Sequence, residues 1–245
     1  MSAGALASEE LEEVAARGWP APDTEWLGRW LLRAGDGWTR RANSALVLGP
    51  PGIDLDDALA RTAAWYGARG LPPAFSVPLP AHREFDDALA ADGWVAELDT
   101  DVLTADLARP DAVRDNEVRL ADRPPPGWDA VYRGAAPLPP IALRILTAPP
   151  TVAFASTVDS AGTVVVTGRG VVVDGWLGIA AIEVAPSHRG RGLARRVTKA
   201  LQRWGSGRGA DRCYLQVATN NAPALALYAS LGFTRHHTYR QRTAG

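Results

Sequence analysis

The sequence predicts an α/β (α+β) fold, and three observations support the prediction. Strand-like apolar runs alternate with helical stretches near both ends of the 245-residue chain, as expected for packed layers of helix and sheet. Near residues 105–127 the composition shifts to proline and charge, which is typical of a connection. The parts on either side share the order and spacing of their elements. We therefore expect two domains, over residues 1–108 and 115–245.

Apolar runs bounded by turn residues indicate the strands. The clearest are SALVLG (44–49), PAFSVPL (73–79), TVAFASTV (151–158), TVVVTGRGVVVD (163–174) and CYLQVAT (213–219). The fourth run contains Gly168 and Gly170, so we expect two strands or one bent strand there. A sixth run, GIAAIEVAP (178–186), is apolar apart from Glu183.

The similarity between the two halves rests on the spacing of aromatic residues. Trp204 closes a predicted helix, and a strand, a helix and the pair Gly232-Phe233 follow it. Trp65 is followed by the same elements and then by Gly93-Trp94. The first and last aromatic residues are 29 positions apart in both halves, and an offset of 139 relates three positions. This spacing predicts a duplicated fold.

Composition excludes several classes of function. The formal net charge is −1 at pH 7, so no overall field would draw the protein to a nucleic acid or an anionic membrane. The single cysteine, Cys213, excludes an internal disulfide and a multi-cysteine zinc site, and its context predicts a buried strand position. No segment resembles a signal peptide or a membrane span. We expect a cytoplasmic protein that binds no nucleic acid, membrane or metal.

The stretch SHRGRGLARRVTKALQRW (187–204) combines glycines and arginines ahead of a predicted helix. Such a loop offers free backbone N–H groups, close approach at glycine and the positive end of a helix dipole, which together favour a bound phosphate. Leu193, Val197, Leu201 and Trp204 form the apolar stripe of the helix. Its charges are interpreted as a solvated face, because they lack interleaved exposed aromatic residues that would stack on bases.

The first half carries opposite chemistry at the matching place. The same offset between the halves aligns RGRGLA (189–194) with PPGIDL (50–55), which Asp56 and Asp57 follow. Prolines lack an N–H group, and carboxylates repel a pyrophosphate. If both halves once bound a phosphorylated ligand, only the second half is expected to do so now.

Two motifs follow each other in the second half of the chain. The first is Arg189-x-x-Gly192-x-Ala194, and the second is NNAPALALYASLGF (220–233), which contains Asn221-x-x-Ala224-x-x-x-Tyr228. The first is similar to the acetyl-coenzyme-A loop of the GCN5-related N-acetyltransferase superfamily, and the second is similar to the second signature of that superfamily. The resemblance covers about residues 115–240. The chain also resembles tandem members of the superfamily, and WLLRAGDGWTRRANSALVLG (30–49) resembles an actinobacterial N-acetylglutamate synthase-like subgroup.

This resemblance implies a fold and a cofactor site. The fold would be two tandem domains with mixed, mostly antiparallel sheets flanked by helices, the N-terminal domain being degenerate. In the superfamily two neighbouring parallel strands, here ending near Ala185 and Val217, splay apart to admit acetyl-coenzyme A. Backbone groups around Val184 would pair with the pantetheine arm and polarise the thioester carbonyl. The pyrophosphate would bind backbone amides of Arg189, Gly190, Arg191, Gly192, Leu193 and Ala194.

The resemblance also implies roles for individual side chains. Asn221 would contact the cofactor arm, or cap the helix that contains Pro223, or do both. Tyr228 matches the general acid that protonates the leaving thiolate, the alternative being a structural tyrosine on a buried face. Glu183 is the candidate base, acting through water, against an ordinary solvent-facing strand residue. His188, His236 and His237 are further candidates, for which surface positions are expected.

The expected activity is acetyl transfer from acetyl-coenzyme A by direct attack of an amine. A small-molecule amine or an amino acid is the expected acceptor, because the chain lacks an acidic pattern suited to a basic peptide. Arg169, Trp128 and Trp176 would line the acceptor pocket or pack in the core. The alternative is a sensor that binds acetyl-coenzyme A without turnover. A homodimer is also compatible with the sequence.

Overall fold

The computed structural model of the chain describes residues 6–107, 117–134 and 137–244. The chain forms two compact units: unit 1 contains Met1–Val102, Val217–Ala222 and Arg235–Gly245, and unit 2 contains Leu103–Gln216 and Pro223–Thr234. Two segments near the end of the chain, Val217–Ala222 and Arg235–Gly245, thus belong to unit 1. The expected division into 1–108 and 115–245 assigns both segments to the second domain. Residues 108–116 of the expected connection lie outside the described residues.

Helices and strands alternate along the chain, as the sequence predicts. In chain order they are α1 (Ser8–Gly18), β1 (Asp23–Leu27), β2 (Trp30–Ala34), β3 (Ala45–Val47), α2 (Leu55–Gly67), β4 (Ala74–Leu79), α3 (Arg83–Ala91), β5 (Val95–Ala96), β6 (Thr100–Asp106), β7 (Arg119–Ala121), α4 (Trp128–Val131), α5 (Pro140–Thr147), β8 (Val152–Val158), β9 (Val164–Val173), β10 (Trp176–Val184), α6 (Leu193–Ser206), β11 (Arg212–Ala218), α7 (Ala222–Ala229) and β12 (Thr234–Thr243).

Each unit contains a mixed sheet. In unit 1 the order is β1-β2-β3-β4-β12, with β5 also paired to β12. The pair β3–β4 is parallel, and the other pairs described in this unit are antiparallel. In unit 2 the order is β11-β10-β9-β8-β7, in which β10–β11 is parallel and the others are antiparallel. The prediction of a mixed sheet flanked by helices is therefore confirmed.

Glycines in β9 let a helix approach the sheet of unit 2 closely. The run 163–174 forms one ten-residue strand, so of the two expected arrangements, two strands or one bent strand, the division into two strands does not occur. A Cβ atom at Gly168 would lie 2.5 Å from Val197 Cγ1, and one at Gly170 would lie 3.0 Å from Leu201 Cδ2. Both contacts are to α6, so these glycines create room for helix packing.

Residues predicted to be apolar or buried form the core of unit 2. Val197 and Leu201, from the predicted stripe of α6, are fully buried, as is Cys213. Burial raises the pKa of the Cys213 thiol to about 12, so this cysteine stays protonated and unreactive at neutral pH.

Three residues considered for an acceptor pocket are also buried. Trp128 and Trp176 are core residues, and Arg169 is 1% exposed. The Nε of Arg169 donates a hydrogen bond to the carbonyl of Leu146, 2.8 Å away in the last turn of α5. A cation at this end of a helix satisfies a carbonyl that has no partner within the helix. These residues therefore pack in the core.

Carboxylates and arginines tie α3 to β12 in unit 1. Asp86 of α3 is fully buried and accepts hydrogen bonds from Arg242 (2.8 and 3.1 Å) and Arg240 (2.8 Å). Burial opposes the charge of Asp86, but these hydrogen bonds and the two positive charges lower its pKa overall. Arg240 also forms two hydrogen bonds of 2.8 Å with Asp99.

A chain of hydrogen bonds joins the start of the described chain to β12. His236 Nε2 lies 2.9 Å from the carbonyl oxygen of Leu6, and the two Nδ1 atoms of His236 and His237 are 2.9 Å apart. His237 Nε2 lies 3.1 Å from Glu12 Oε1 in α1. Because His237 is only 5% exposed, the expectation of a surface position is wrong for this residue.

Candidate active site

The candidate site in unit 2 begins where two parallel strands stop pairing. The ladder between β10 and β11 runs from the pair Trp176–Arg212 to the pair Ile179–Leu215. Strand β10 continues to Val184, and its last five residues are half-buried where the first four are buried. Because the ladder with β11 ends before this segment, the segment has an edge at which backbone groups can bind a ligand.

A β-bulge lies in the same segment. Between Ala180 and Glu183 the register with β9 shifts, so β10 carries one residue more than its partner. Ala181 adopts a left-handed conformation with φ of +56°, which a residue with a Cβ atom rarely does. The Thr167 hydroxyl donates a 2.9 Å hydrogen bond to the Ala181 carbonyl and helps to hold this conformation. Bulges of this kind redirect the end of a strand.

The loop after β10 leads directly into the N-terminus of α6. Gly190 and Gly192 have φ of +75° and +73°, and Gly192 is the residue that precedes the first turn of the helix. A Cβ atom at either glycine would meet no protein atom within 4 Å, so their requirement for glycine comes from backbone conformation and not from packing. The first amides of α6 have no partner within the helix. This part of the loop is therefore suited to an anion.

The arginines around this loop have different surroundings. Arg189 Nε donates to the carbonyl of Val184 at 3.3 Å, and Arg191 donates to the carbonyl of Ser187 at 3.2 Å. Arg196 forms a 2.7 Å ion pair with Glu117. Both loop arginines are exposed, so their guanidinium groups can move toward a bound ligand.

Tyr228 lies on α7, in the part of that helix that belongs to unit 2. It is 8% exposed and packs edge-on against Phe233, with ring centroids 5.7 Å apart. Burial raises the pKa of Tyr228 to about 12, so its phenol keeps the proton throughout the neutral range. Arg195, in the first turn of α6, donates to the Ser230 hydroxyl just after α7. This bond connects α6 to the residue that follows α7, the helix that contains Tyr228.

Glu183 is half-buried near the end of β10. Its Oε2 accepts a 2.9 Å hydrogen bond from the backbone N–H of Arg133. This bond holds one carboxylate oxygen, and a carboxylate can accept further hydrogen bonds from water or a substrate. The sequence points to Glu183 but not to this partner, because Arg133 is 50 positions away in the chain.

The remaining predicted residues have separate surroundings. Asn221 belongs to unit 1 and directly precedes α7, which is the position of an N-cap. His188 is half-buried, and its Nδ1 lies 3.0 Å from the Ser187 hydroxyl.

Within residues 6–107, 117–134 and 137–244, no group of three or more His, Cys, Asp or Glu side chains is arranged to hold a metal. No helix in that part of the chain has the length and apolar character needed to cross a membrane.

Comparison with known proteins identifies the family. Residues 8–242 match the family described as "Probable histone acetyltransferase Rv0428c C-terminal". The chain is a GCN5-related N-acetyltransferase. The candidate site therefore lies in an enzyme fold whose members use acetyl-coenzyme A, the family that the two sequence motifs resemble.

Two curated relatives cover most of the acetyltransferase. "Probable histone acetyltransferase Rv0428c" of Mycobacterium tuberculosis is 34% identical over 242 residues, 94% of this chain and 72% of that protein. "Uncharacterized N-acetyltransferase YobR" of Bacillus subtilis is 31% identical over 243 residues, 94% of this chain and 97% of that protein.

A solved structure shows the same fold. The GCN5-related N-acetyltransferase from Kribbella flavida matches the acetyltransferase with a TM-score of 0.73, covering 98% of this chain and 96% of that one. The identity between them is 16%, so this likeness concerns the fold alone.

Proposed function

We propose that this acetyltransferase moves the acetyl group of acetyl-coenzyme A to the amine of a small molecule or an amino acid. One observation supports this proposal most directly. The end of β10, beyond its ladder with β11, leads straight into a loop with two left-handed glycines at the N-terminus of α6. The first element suits the pantetheine arm and the second suits the pyrophosphate.

In this proposal the loop recognises the charged part of acetyl-coenzyme A. The backbone amides of residues 189–194 bind the pyrophosphate, and the helix dipole of α6 adds to their positive potential. Arg189 and Arg191 are exposed at the loop and supply neutralising charge. Asn221 contacts the cofactor arm or caps α7, and the two roles are compatible.

The chemistry proceeds by direct attack of a neutral amine on the thioester. The nitrogen forms a bond to the acetyl carbon while the carbon–sulfur bond breaks, and the backbone around Val184 polarises the carbonyl. Glu183 accepts the proton of the amine through water. Tyr228 donates its proton toward the departing sulfur.

The raised pKa of Tyr228 refines its role. A phenol with a pKa of about 12 holds its proton more tightly than a thiol, whose ordinary pKa is about 8.5. Tyr228 therefore acts first as a hydrogen-bond donor to the thiolate, and the proton passes as negative charge builds on sulfur. Its protonated form predominates near pH 8, where an α-amine of ordinary pKa is already about half neutral.

We also propose that the chain is a tandem of two related domains. Corresponding elements of the two halves are separated by a nearly constant distance in sequence: α2 begins at Leu55 and α6 at Leu193, β4 at Ala74 and β11 at Arg212, α3 at Arg83 and α7 at Ala222. Both β3–β4 and β10–β11 are parallel pairs.

The N-terminal copy is degenerate in this proposal. The side chain of Asp54 caps α2 by accepting a 3.0 Å hydrogen bond from Asp56 N–H, at the place where the second copy offers free amides to an anion. The likeness to an N-acetylglutamate synthase-like subgroup stays a prediction.

The Mycobacterium tuberculosis relative is named a probable histone acetyltransferase, which favours a second acceptor class, the lysine side chain of a basic protein. The formal net charge of only −1 supports the small amine instead. The cytoplasmic location, the absence of a nucleic-acid partner and the homodimer stay predictions.

Two measurements test the proposal together. Isothermal titration calorimetry with acetyl-coenzyme A should give one site per chain, and a thiol-release assay should show turnover with amino acids or small amines. Turnover with histone peptides alone would favour the second acceptor class. Binding without turnover on any acceptor would favour the sensor, and the absence of binding would contradict both.

A further inference from the structure

Unit 1 contains a pocket that the proposed function does not use. Its volume is about 620 Å³, within the range of small-molecule sites. The loop after β3 forms one side, with Pro50 and Pro51, and the first two turns of α3 form the other, with Glu84, Phe85 and Asp87. All the lining residues belong to unit 1.

The pocket lies where the parallel strands of unit 1 stop pairing. The ladder of β3 and β4 joins Ala45 to Phe75 and Leu46 to Ser76, while β4 continues to Leu79. The pocket lining includes Val47, at the end of β3, and Pro80, directly after β4. The pocket is thus bounded by the same kinds of element as the candidate site in unit 2.

The chemistry of this pocket does not suit a phosphate. Pro50 and Pro51 have no N–H groups to donate, and the Asp54 carboxylate already accepts the hydrogen bond of Asp56 N–H at the start of α2. The loop also packs closely against the turn between β1 and β2, because a Cβ atom at Gly28 would lie 2.1 Å from the Pro51 carbonyl oxygen and Arg29 N–H donates a 2.9 Å hydrogen bond to the Pro50 carbonyl. The Pro50 carbonyl is thus already in use, and the loop offers few backbone donors to an anion.

The charges favour a cation. Among the lining residues, Glu84 and Asp87 are negative and Arg83 is positive. His82 also lines the pocket, and burial lowers its pKa despite the opposing effect of Glu9, so it adds no charge at neutral pH. Three further carboxylates follow the lining residue Ile53 and extend the negative potential; these exposed residues are Asp54, Asp56 and Asp57.

The base of the pocket suits an apolar body. Phe85 lines the pocket, is half-buried, and packs against Trp30, which is 1% exposed, with ring centroids 5.0 Å apart. Prolines and Ile53 complete an apolar wall, and Ile53 is 39% exposed. Aromatic faces attract cations as well as apolar groups.

We propose that this pocket binds an organic amine, with its ammonium group near Glu84 and Asp87 and an aromatic or aliphatic body against Phe85 and Ile53. The ligand is distinct from acetyl-coenzyme A, and its site is independent of the loop at 189–194. This gives the degenerate half of the chain a binding property of its own.

The test compares two probes of the same shape and opposite charge. Calorimetric titration with 2-phenylethylamine should show one site per chain, and phenylacetate should bind at least tenfold more weakly. The double variant Glu84→Gln/Asp87→Asn should weaken 2-phenylethylamine binding about tenfold. The single variant Asp122→Asn, which removes an exposed carboxylate outside the pocket, should leave it unchanged.

A variant that fills the pocket provides a second check. Ile53→Trp should abolish 2-phenylethylamine binding but leave the affinity for acetyl-coenzyme A unchanged, so failure here is separate from failure of the proposed enzyme. The inference would be overturned if the double variant and Ile53→Trp both bind 2-phenylethylamine as tightly as the unchanged protein does. Equal affinity for phenylacetate, or a second acetyl-coenzyme A site that Ile53→Trp removes, would do so too.

Discussion

The hydroxyl group of Tyr228 can be tested by removing a single atom. Tyr228→Phe should lower turnover by about 10²-fold, while the affinity for acetyl-coenzyme A measured by calorimetry stays within about twofold. Tyr132→Phe is the matched control, because Tyr132 is also 8% exposed and lies in the same unit. If turnover is undiminished in Tyr228→Phe, Tyr228 is not the general acid and has the structural role of packing on Phe233.

The carboxylate of Glu183 is tested by a substitution that preserves its shape. Glu183→Gln keeps an oxygen that can accept the Arg133 N–H but cannot take a proton, so we expect turnover at pH 7 to fall about 10-fold or more. Raising the pH should restore part of the rate, because more of the amine is then already neutral. A pH–rate profile that coincides with that of the unchanged enzyme would contradict the role of base.

The loop glycines allow a matched pair of substitutions. Gly192→Val and Gly52→Val place the same side chain at φ of +73° and +77°, so the backbone strain is similar. Only Gly192→Val also puts a side chain in the space beside the proposed cofactor loop, and only this variant should lose acetyl-coenzyme A affinity. Calorimetry distinguishes the two; comparable losses in both would mean that the N-terminal half also binds the cofactor.

At the level of elements, the contact between α6 and β9 sets the position of the loop. Gly168→Ala would place a Cβ atom 2.5 Å from Val197 Cγ1 and 2.8 Å from Ile182 Cδ1, so the helix or the strand must shift. We expect the free energy of unfolding to fall by about 1–3 kcal/mol, measured by guanidinium denaturation. Gly67→Ala is the control, because a Cβ atom there would meet nothing within 4 Å; a Gly168→Ala protein as stable as this control would refute the packing argument.

Elements with strong local patterns could be predicted, and contacts distant in sequence could not. The apolar strands 44–49, 73–79, 151–158 and 213–219 are present with ends shifted by one or two residues, because alternation and turn residues are local signals. The run 163–174 is one strand and not two, because its glycines make room for α6 and do not end a strand. The β-bulge at Ala181 gives no signal either, because alanine is not typical of a left-handed conformation.

For the whole chain, the limit of sequence reasoning is the C-terminal strand. Strand β12, TRHHTYRQRT, is too polar to suggest a central strand, yet it pairs with β4 in unit 1. Its place depends on Arg240 and Arg242, which bind Asp86 more than 150 positions away. The motifs that point to the candidate site are local, so Arg189, Gly192 and Tyr228 can be identified without knowledge of this pairing.

Stability of the protein should fall in mild acid. Burial, followed by the charge of His237, lowers the pKa of His236 below its ordinary value of 6.5. The unfolded chain therefore takes up a proton at a higher pH than the folded one, and stability is lost as the pH falls below about 6.5. The guanidinium midpoint should be lower at pH 5.5 than at pH 7.5, and His236→Gln should reduce that difference. A midpoint unaffected by pH in both proteins would refute this.

The hydrogen bonds that connect Leu6, His236, His237 and Glu12 also limit where protons can lie on the two imidazole rings. The Leu6 carbonyl can only accept, so His236 Nε2 donates its hydrogen to that oxygen, and one hydrogen lies between the two Nδ1 atoms. A proton on both Nδ1 atoms would set two N–H donors against each other at 2.9 Å. Uptake of that second proton in acid should therefore weaken the attachment of α1 to β12.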